Sequence, residues 1–369
     1  MALKMHQNDS PQRHGGRREE KLAKRENLSV LCVSAVNYYT MGRFLRNSRG
    51  MALILTILII SLIVALTLQF NTSMRSDLHA AANLRDGIKL GYIAKSGFNY
   101  VLAVLLEDRS EGNVDSLHEA WADPKAISEN SAAQFDEGRF EVKVSDHSGR
   151  IQINKLVKED GKDYNDDQKG LLTRFLQSRE FGLEEEEVQI IISAIKDWID
   201  ADENPEGLYG AENAYYQGLK KPYACKNGPI EFLEDLLLVK GIPKKLFYGT
   251  EETPGIALYL SPHGDDGKIN INTADRLVLR ALSDETKEDP EMVDNMIKYR
   301  NDEDNNLKEI NWDDRVGMRG VNYNPGLLTT TSTYFEITSR GFRVTLAKQV
   351  TGMVKRKEDG LSILSWKID

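Results

Sequence analysis

Eighteen consecutive residues, Met51–Leu68 (MALILTILIISLIVALTL), carry no charge, and only Thr56, Ser61 and Thr67 interrupt their apolar character. A backbone placed in hydrocarbon must satisfy its own hydrogen bonds, so such a run is helical. At about 1.5 Å per residue it spans ~27 Å, close to the thickness of a bilayer core. Buried helices of soluble domains rarely go uncharged over this length, so residues 51–70 are read as a transmembrane helix. Arg43, Arg46 and Arg49 precede it with no acid between them. The positive-inside rule puts that end in the cytoplasm and the chain after about residue 70 outside. A cleaved secretory signal fits poorly, because Leu68-Gln69-Phe70 follows the run in place of a small-x-small site.

Charge is divided across this segment. Residues 1–50 carry ten Lys/Arg and four Asp/Glu, and the remainder of the 369-residue chain carries 38 and 53. The acidic body lacks the cationic face that phosphate binding requires, so nucleic acid is not expected as a partner. The length leaves room for two modest domains beside the span. Of the two cysteines, Cys32 lies in the basic head and Cys225 in the body. Without the head, Cys225 has no intramolecular partner and reads as a partly buried structural thiol.

Ser48-Arg49-Gly50 abuts Met51 with no spacer between charge and apolar helix. A short basic leader ending in Gly before an apolar helix resembles the leaders cut by prepilin peptidase. The resemblance implies cleavage between Gly50 and Met51 on the cytoplasmic side, methylation of the new amine, and retention of the helix. Residues 1–50 are then leader. Met41 opens a ten-residue leader of the usual kind, MGRFLRNSRG, so residues 1–40 read as an over-extended start or a dispensable extension. Counting from Met51, position five is Leu55, where most pilins and pseudopilins carry a Glu that pairs with a neighbouring subunit's amine. A carboxylate in hydrocarbon is tolerable only with such a partner, and a subunit with no neighbour above it has no use for one. In this respect the chain resembles the general secretion pathway protein K family, the large minor pseudopilins of type II secretion.

The body alternates in character. Ala94, Phe98, Val101, Leu102 and Leu105 recur at helical spacing, with Leu84 and Ile88 on an extension of that side. This predicts a helix over the first part of 71–155, which its continuity with the membrane run and the resemblance make a pilin-like helix followed by the first strands. Phe140, Val142 and Val144 alternate as a strand, Asp146–Gly149 reads as a turn, and Ile151 and Ile153 resume the alternation, which predicts a hairpin with His147 in its loop. Residues 156–255 are mainly helical by period, at 171–176, 188–198 and 232–239, with Gly241 and Pro243 as stops. Strand signals return at 257–260 and 268–272, helices at 274–282 and 290–300, and the end is β-rich: Tyr334, 336–338, 342–354 and 362–366, with Lys357–Gly360 as the last hairpin turn. The expected fold is α+β: an N-terminal transmembrane and pilin helix on an antiparallel sheet, with an inserted mainly helical, SAM-like domain whose remainder and the completed sheet fill 256–369.

Residues 197–212, DWIDADENPEGLYGAE, hold six acids (Asp197, Asp200, Asp202, Glu203, Glu206, Glu212) and no Lys or Arg. Charges this crowded repel unless neutralised. Asp200, Asp202, Asn204 and Glu206 resemble the start of a calcium loop, but Pro205 stands where an EF-hand needs Gly, and Ala211 occupies the twelfth position, with Glu212 one place late. An EF-hand is excluded. A structural calcium held by Asp200, Asp202, Glu206 and Glu212 is the expectation. The loop, the following Tyr215-Tyr216, Asn227-Gly228-Pro229 and Leu236–Gly241 also resemble the protein K family. Asn301–Asn305 reads as a solvated acidic loop.

Two other functions compete with this reading. Ile269–Ala274 (ININ-TA) resembles the start of a helix-hairpin-helix DNA-binding unit, which would fit a membrane-anchored DNA-uptake protein; the acidic body argues against it, and Asn or Thr capping a helix at about Ala274 accounts for the motif. No metalloprotease spacing, G-x-S-x-G or P-loop marks an enzyme. The protein K resemblance implies a subunit at the tip of a short periplasmic pseudopilus, with other minor pseudopilins, the major pseudopilin, prepilin peptidase, the inner-membrane secretion platform and secreted cargo as partners.

Overall fold

The computed structural model describes residues 48–112, 114–310, 324–343 and 346–369. Most of the leader, with Cys32, Arg43, Arg46 and the proposed over-extension 1–40, lies outside the described residues. The chain divides into two compact units between Asn83 and Leu84.

In the first unit the described chain is the N-terminal part of helix α1 (Ser48–Glu111). Among the described residues this is the one helix long and apolar enough to cross a membrane. Its large apolar side chains from Met51 to Phe70 are all exposed, Leu55 included. The Thr56 and Ser61 hydroxyls donate to the carbonyls of Leu53 and Leu58, both at 2.9 Å, so these polar interruptions are satisfied within the helix.

The second unit holds a sheet and a helical insert. After the second helix, α2 (Pro124–Glu129), come strands β1 (Arg139–Asp146) and β2 (Ile151–Gln152), then α3 (Asp166–Leu176), α4 (Glu185–Ile199), α5 (Asn213–Gln217) and α6 (Lys244–Tyr248). β3 (Leu260–Ser261) and β4 (Ile269–Asn270) precede α7 (Arg276–Arg280), α8 (Asp284–Glu288) and α9 (Pro290–Arg300). The chain closes with β5 (Leu328–Thr329), β6 (Tyr334–Arg343), β7 (Leu346–Lys357) and β8 (Gly360–Ile368). The large sheet runs β1-β6-β7-β8, antiparallel throughout. The insert thus leaves after β1 and returns into β6, which pairs with β1 from Arg139↔Phe342 to Asp146↔Phe335.

Two cores follow from this topology. In the first, Leu90, Ile93, Ala94, Phe98, Val101 and Leu105 of α1 bury against Phe140 and Val142 of β1, Phe335 and Ile337 of β6, and Val350 and Val354 of β7. The predicted stripe is therefore real from Ala94 to Leu105, although Leu102 is only half-buried. Leu84 and Ile88 are exposed, because the buried face of α1 begins at Leu90. The second core is the insert's own and runs from Ile151 to Leu328. α3 and α4 start at polar caps: the Asn165 side chain accepts from Gln168 N, and the Glu187 carboxylate accepts from Glu184 N at 2.9 Å.

Several local expectations are corrected. There is no 138–156 hairpin: β1 pairs with β6, and β2 runs parallel to β3. Ile151 and Ile153 belong to the insert's core, so the alternation belongs to two different sheets. Residues 232–239 contain a 3-10 helix, Leu233–Leu238, and Gly241 follows at φ +88°, which favours glycine. Residues 257–260 are mostly a 3-10 turn, Ile256–Leu258, before β3. The cap near Ala274 is Asp275, whose carboxylate accepts from Leu277 N at 2.9 Å, since the Asn270 and Asn272 side chains are spent elsewhere. The predicted strand 342–354 is the end of β6 and the start of β7; residues 344 and 345 lie outside the described set.

A buried polar hub closes the insert. At the end of β1, the half-buried Asp146 carboxylate accepts from the hydroxyls of Ser332 and Thr273 and from Ser148 N. Asp115 accepts from Ser332 N and is ion-paired with Arg356 of β7, which also binds Asp108 of α1 at 2.7 Å. Asn270 of β4 donates to Asp115 O and to Ser332 Oγ. Next to the hub, His147 lies in the bend after β1, as expected of a loop residue, but is buried; its Nδ1 lies 3.0 Å from Ser261 Oγ.

Two glycines of α1 test the packing. A Cβ at Gly97 would stand 2.4 Å from Ser339 Oγ and 2.7 Å from the Phe140 ring, whereas one at Gly87 would meet nothing. Gly87→Ala should therefore raise stability by up to about 1 kcal/mol through helix propensity. Gly97→Ala should lower it by about 1–3 kcal/mol despite the same propensity gain. Thermal unfolding of the two variants in detergent checks this; equal shifts would refute the close approach.

Burial pushes the His147 imidazole from 6.5 down to about 4, against the pull of Glu336. The unfolded chain then takes up a proton that the folded chain refuses. The His147 contribution is complete above about pH 6.5 and is lost as pH falls towards 4. Buried carboxylates titrate in the opposite sense, so the difference from His147→Gln is the measurement. Wild type should lose stability relative to that variant between pH 7 and 4.5; parallel curves would rule it out.

Candidate functional site

The acidic loop is assembled on the end of α4. That helix is amphipathic, and its last turns are wholly buried from Ile191 to Ile199, which carries Asp197 into the interior among Ile195, Trp198 and Ile199. Asp200 follows as the C-terminal cap and is fully buried. The loop then doubles back, and Glu206 N and Ala211 N donate to the Asp197 carboxylate at 3.0 and 2.6 Å. Gly210 permits this wrap: a Cβ there would lie 2.3 Å from both Asp197 Oδ2 and Glu206 N. Glu212, at the start of α5, turns inward and is 2 % exposed.

Carboxylate oxygens of Asp197, Asp200 and Glu212 all lie within 4.8 Å of one another. Asp200 Oδ1 and both Glu212 oxygens are buried without a hydrogen-bond partner in the protein. Burial, with Asp197 and Asp200 beside it, pushes the Glu212 carboxyl up to about 7, and burial pushes Asp197 up to about 6. Asp200 is raised for the same first reason. Three carboxylates so close together, with orphaned oxygens on Asp200 and Glu212, would be stabilised by a positive charge between them. All-oxygen donors suit a hard cation such as calcium better than zinc or copper. Asp197, Asp200 and Glu212 would hold it.

Of the four residues expected as ligands, the structure brings together Asp200 and Glu212. Asp202 stands outside: its carboxylate accepts from Asn204 N and Nδ2, both at 2.8 Å, and these bonds hold it below the usual carboxylate range. Glu206 is paired with Lys196 at 3.0 Å. The D-x-D-x-N spacing drew attention forward along the loop and away from Asp197. The signal that would have found Asp197 is its i, i+3 relation to Asp200 on the apolar face of a helix. Lys196 was also missed, lying one residue before the acidic window.

The neighbouring segments that resembled protein K fold around this loop. Tyr216 is buried edge-on against Trp198, with ring centroids 5.1 Å apart. Gly228 N donates to Trp198 O, and Asn227 Nδ2 donates to Asp202 O. Lys240 holds the carbonyls of Tyr209 and Gly210. Cys225 is half-buried, with Sγ 3.5 Å from Asp197 O, and burial pushes its thiol up to about 12, consistent with a structural role.

A second acidic group, Asp108, Asp115 and Glu119, already contains a cation: Arg356 pairs with the first two. The Ile269–Ala274 motif does not present a DNA-binding face, because Asn270 and Asn272 are buried and donate to Asp115 O, Ser332 Oγ and Leu307 O. Asn301–Asn305 is an acidic turn following α9, largely exposed as expected. Gly50, Met51 and Leu55 lie in the first turns of α1.

A lipid-compatible helix, its continuation packed on an antiparallel sheet, and a helical domain inserted between the first two paired strands define a pilin-like membrane-anchored subunit with a large insertion. Comparison makes this particular. Residues 149–250 match the family model for type II secretion system (T2SS) protein K. The chain is 27 % identical over 261 residues to type II secretion system protein K of Pseudomonas aeruginosa, covering 69 % of this chain and 73 % of that protein. It is 28 % identical over 234 residues to the Aeromonas hydrophila protein K, covering 62 % and 68 %. In fold it matches a chain in the crystal structure of the GspK-GspI-GspJ complex of enterotoxigenic Escherichia coli, with a TM-score of 0.57 at 15 % identity, covering 78 % of this chain and 99 % of that one. The protein is thus similar to type II secretion system protein K, as its leader junction, Leu55 and acidic loop implied.

Proposed function

We propose that this chain is a non-enzymatic minor pseudopilin of type II secretion that stands at the tip of the pseudopilus and supports export of folded proteins across the outer membrane. The observation that carries the reading is the protein K domain at 149–250 on the same chain as α1, whose fifth residue after Gly50 is Leu55. In this reading α1 crosses the inner membrane once, with its N-terminus cytoplasmic and the acidic body periplasmic. Prepilin peptidase cuts between Gly50 and Met51, and the new amine is methylated. Leu55 leaves no unpaired carboxylate in hydrocarbon, so the subunit needs no neighbour above it. Other minor pseudopilins are its nearest partners, as GspI and GspJ are for GspK in the solved complex. The major pseudopilin, the secretion platform and cargo follow from the same position. Co-expression with the minor pseudopilins of the same system should yield a stable complex on co-purification. A body that stays solitary in their presence would overturn the assignment. Gly50→Asp should leave the full leader on the chain, read as intact mass; normal trimming of that variant would refute the processing site.

The calcium reading belongs to the same proposal. A divalent ion between Asp197, Asp200 and Glu212 would relieve their mutual repulsion and tie the loop 201–212 to the end of α4. Its role is structural, and it supplies no chemistry to a reaction. Calcium should raise the melting temperature by several degrees and release heat in calorimetry. Glu212→Gln should abolish both effects while remaining folded without calcium. An unchanged wild-type melting temperature would discard the site.

A further inference from the structure

The acidic loop contains a fixed cation of its own. Lys196 is 6 % exposed, on the last turn of α4, and its ammonium lies 2.7 Å from Asp200 Oδ2 and 3.0 Å from Glu206 Oε2. It therefore occupies one oxygen of the very carboxylate whose other oxygen, Oδ1, is buried and unpartnered. The second lysine of the region does something different: Lys240 binds the carbonyls of Tyr209 and Gly210, not a carboxylate. One carboxylate oxygen from each of Asp197, Asp200 and Glu212 lies within 4.8 Å of the others, while Lys196 takes Asp200 Oδ2 and Glu206 Oε2.

We propose that Lys196 is the positioning and affinity-setting residue of the cation site: it holds Asp200 and Glu206 in place before any metal arrives, and its charge weakens the metal that then binds. The inference rests on the calcium reading above. Its physical basis is that a buried carboxylate cannot remain ionised alone, so the loop needs an internal counter-ion to fold in the metal-free state. The same ammonium, one carboxylate away from the cation position, repels a divalent ion in a medium less polar than water. The loop is thus folded with or without the ion, at the expense of a tight grip on it.

The proposal separates two quantities that a merely structural lysine would move together. Lys196→Gln removes the charge and keeps a hydrogen-bonding end; Lys196→Arg keeps the charge. Each variant of the full chain, in detergent and stripped with EDTA, is titrated with calcium by calorimetry and melted with and without it. Lys196→Gln should melt lower than wild type without calcium, bind calcium at least roughly tenfold more tightly, and show a larger calcium-dependent rise. Lys196→Arg should behave as wild type in all three. If Lys196→Gln binds calcium as wild type does or more weakly, the proposal fails while the calcium site stands. If wild type binds no calcium and Lys196→Gln binds none, both readings fail. If Lys196→Gln is unfolded after stripping, Glu206→Gln replaces it: Glu206 is not among the three ligands, and losing it frees Lys196 to act on Asp200 alone, so calcium affinity should fall. An unchanged affinity there overturns the proposal.

Discussion

The fold depends on one carboxylate, Asp146, half-buried among donors at the seam between sheet and insert. Asp146 ends β1 at the point where the chain leaves the sheet for an insert of nearly 190 residues, and Tyr334 begins β6 where it returns. Two strands so far apart in sequence pay a large entropy of closure before they pair. Asp146 fastens both edges of that gap at once, through Ser148 on the outgoing side, Ser332 on the returning side, and Thr273 of the insert itself. Asp115 and Arg356 extend the network to the end of α1 and the middle of the sheet. Every carboxylate of the network has donors, and Arg356 leaves only its Nε unbonded, which keeps the network tolerable. The insert is docked by this network as well as by its connecting backbone.

The acidic loop inverts that logic. It too is buried and rich in carboxylates, but its oxygens are left over: Asp200 Oδ1 and both oxygens of Glu212 have no protein donor. In a chain that satisfies Asp146 with three donors, three orphaned oxygens in one small volume are a specific exception. The loop backbone satisfies Asp197 by closing over it, with Gly210 as the residue that lets the chain come near enough. Neutral donors are therefore available in this loop, yet none is directed at Glu212. The proposed cation site rests on this asymmetry, in which some carboxylate oxygens are fixed by the protein and others are left over.

What the sequence made legible is what repeats locally. The membrane run, the α1 stripe from Ala94 to Leu105, the amphipathic period of α4 and the final meander all follow from spacing within one element. The failures share a cause. Ile151 and Ile153 continue the alternation of Phe140 and Val142 in sequence, yet the turn between them is where the chain passes from one core to the other. Periodicity reports that a side chain is buried and is silent on which core receives it. The parallel pairs β2–β3 and β4–β5 join residues more than fifty positions apart, so nothing local announces them. In the acidic loop the motif-like residues Asp202 and Glu206 are satisfied by Asn204 and Lys196. Asp197 lies before the D-x-D-x-N spacing, on the helix itself, where the motif does not point.

That misreading has a physical lesson about acidic loops. A D-x-D-x-N pattern is attractive because alternating residues of a turn point to one centre, but a turn can spend its carboxylates on its own backbone, as Asp202 does. Burial distinguishes the two uses. Asp202 and Glu206 can remain charged at the surface or beside a lysine, so their charge costs little. Asp197, Asp200 and Glu212 are buried, the first two at the end of α4, whose last turns from Ile191 to Ile199 are buried with them. The helix buries its own C-terminal carboxylates as a consequence of burying its isoleucines. The core of the insert and the proposed cation site therefore both depend on a single amphipathic helix: substitutions that loosen the first also hydrate the second.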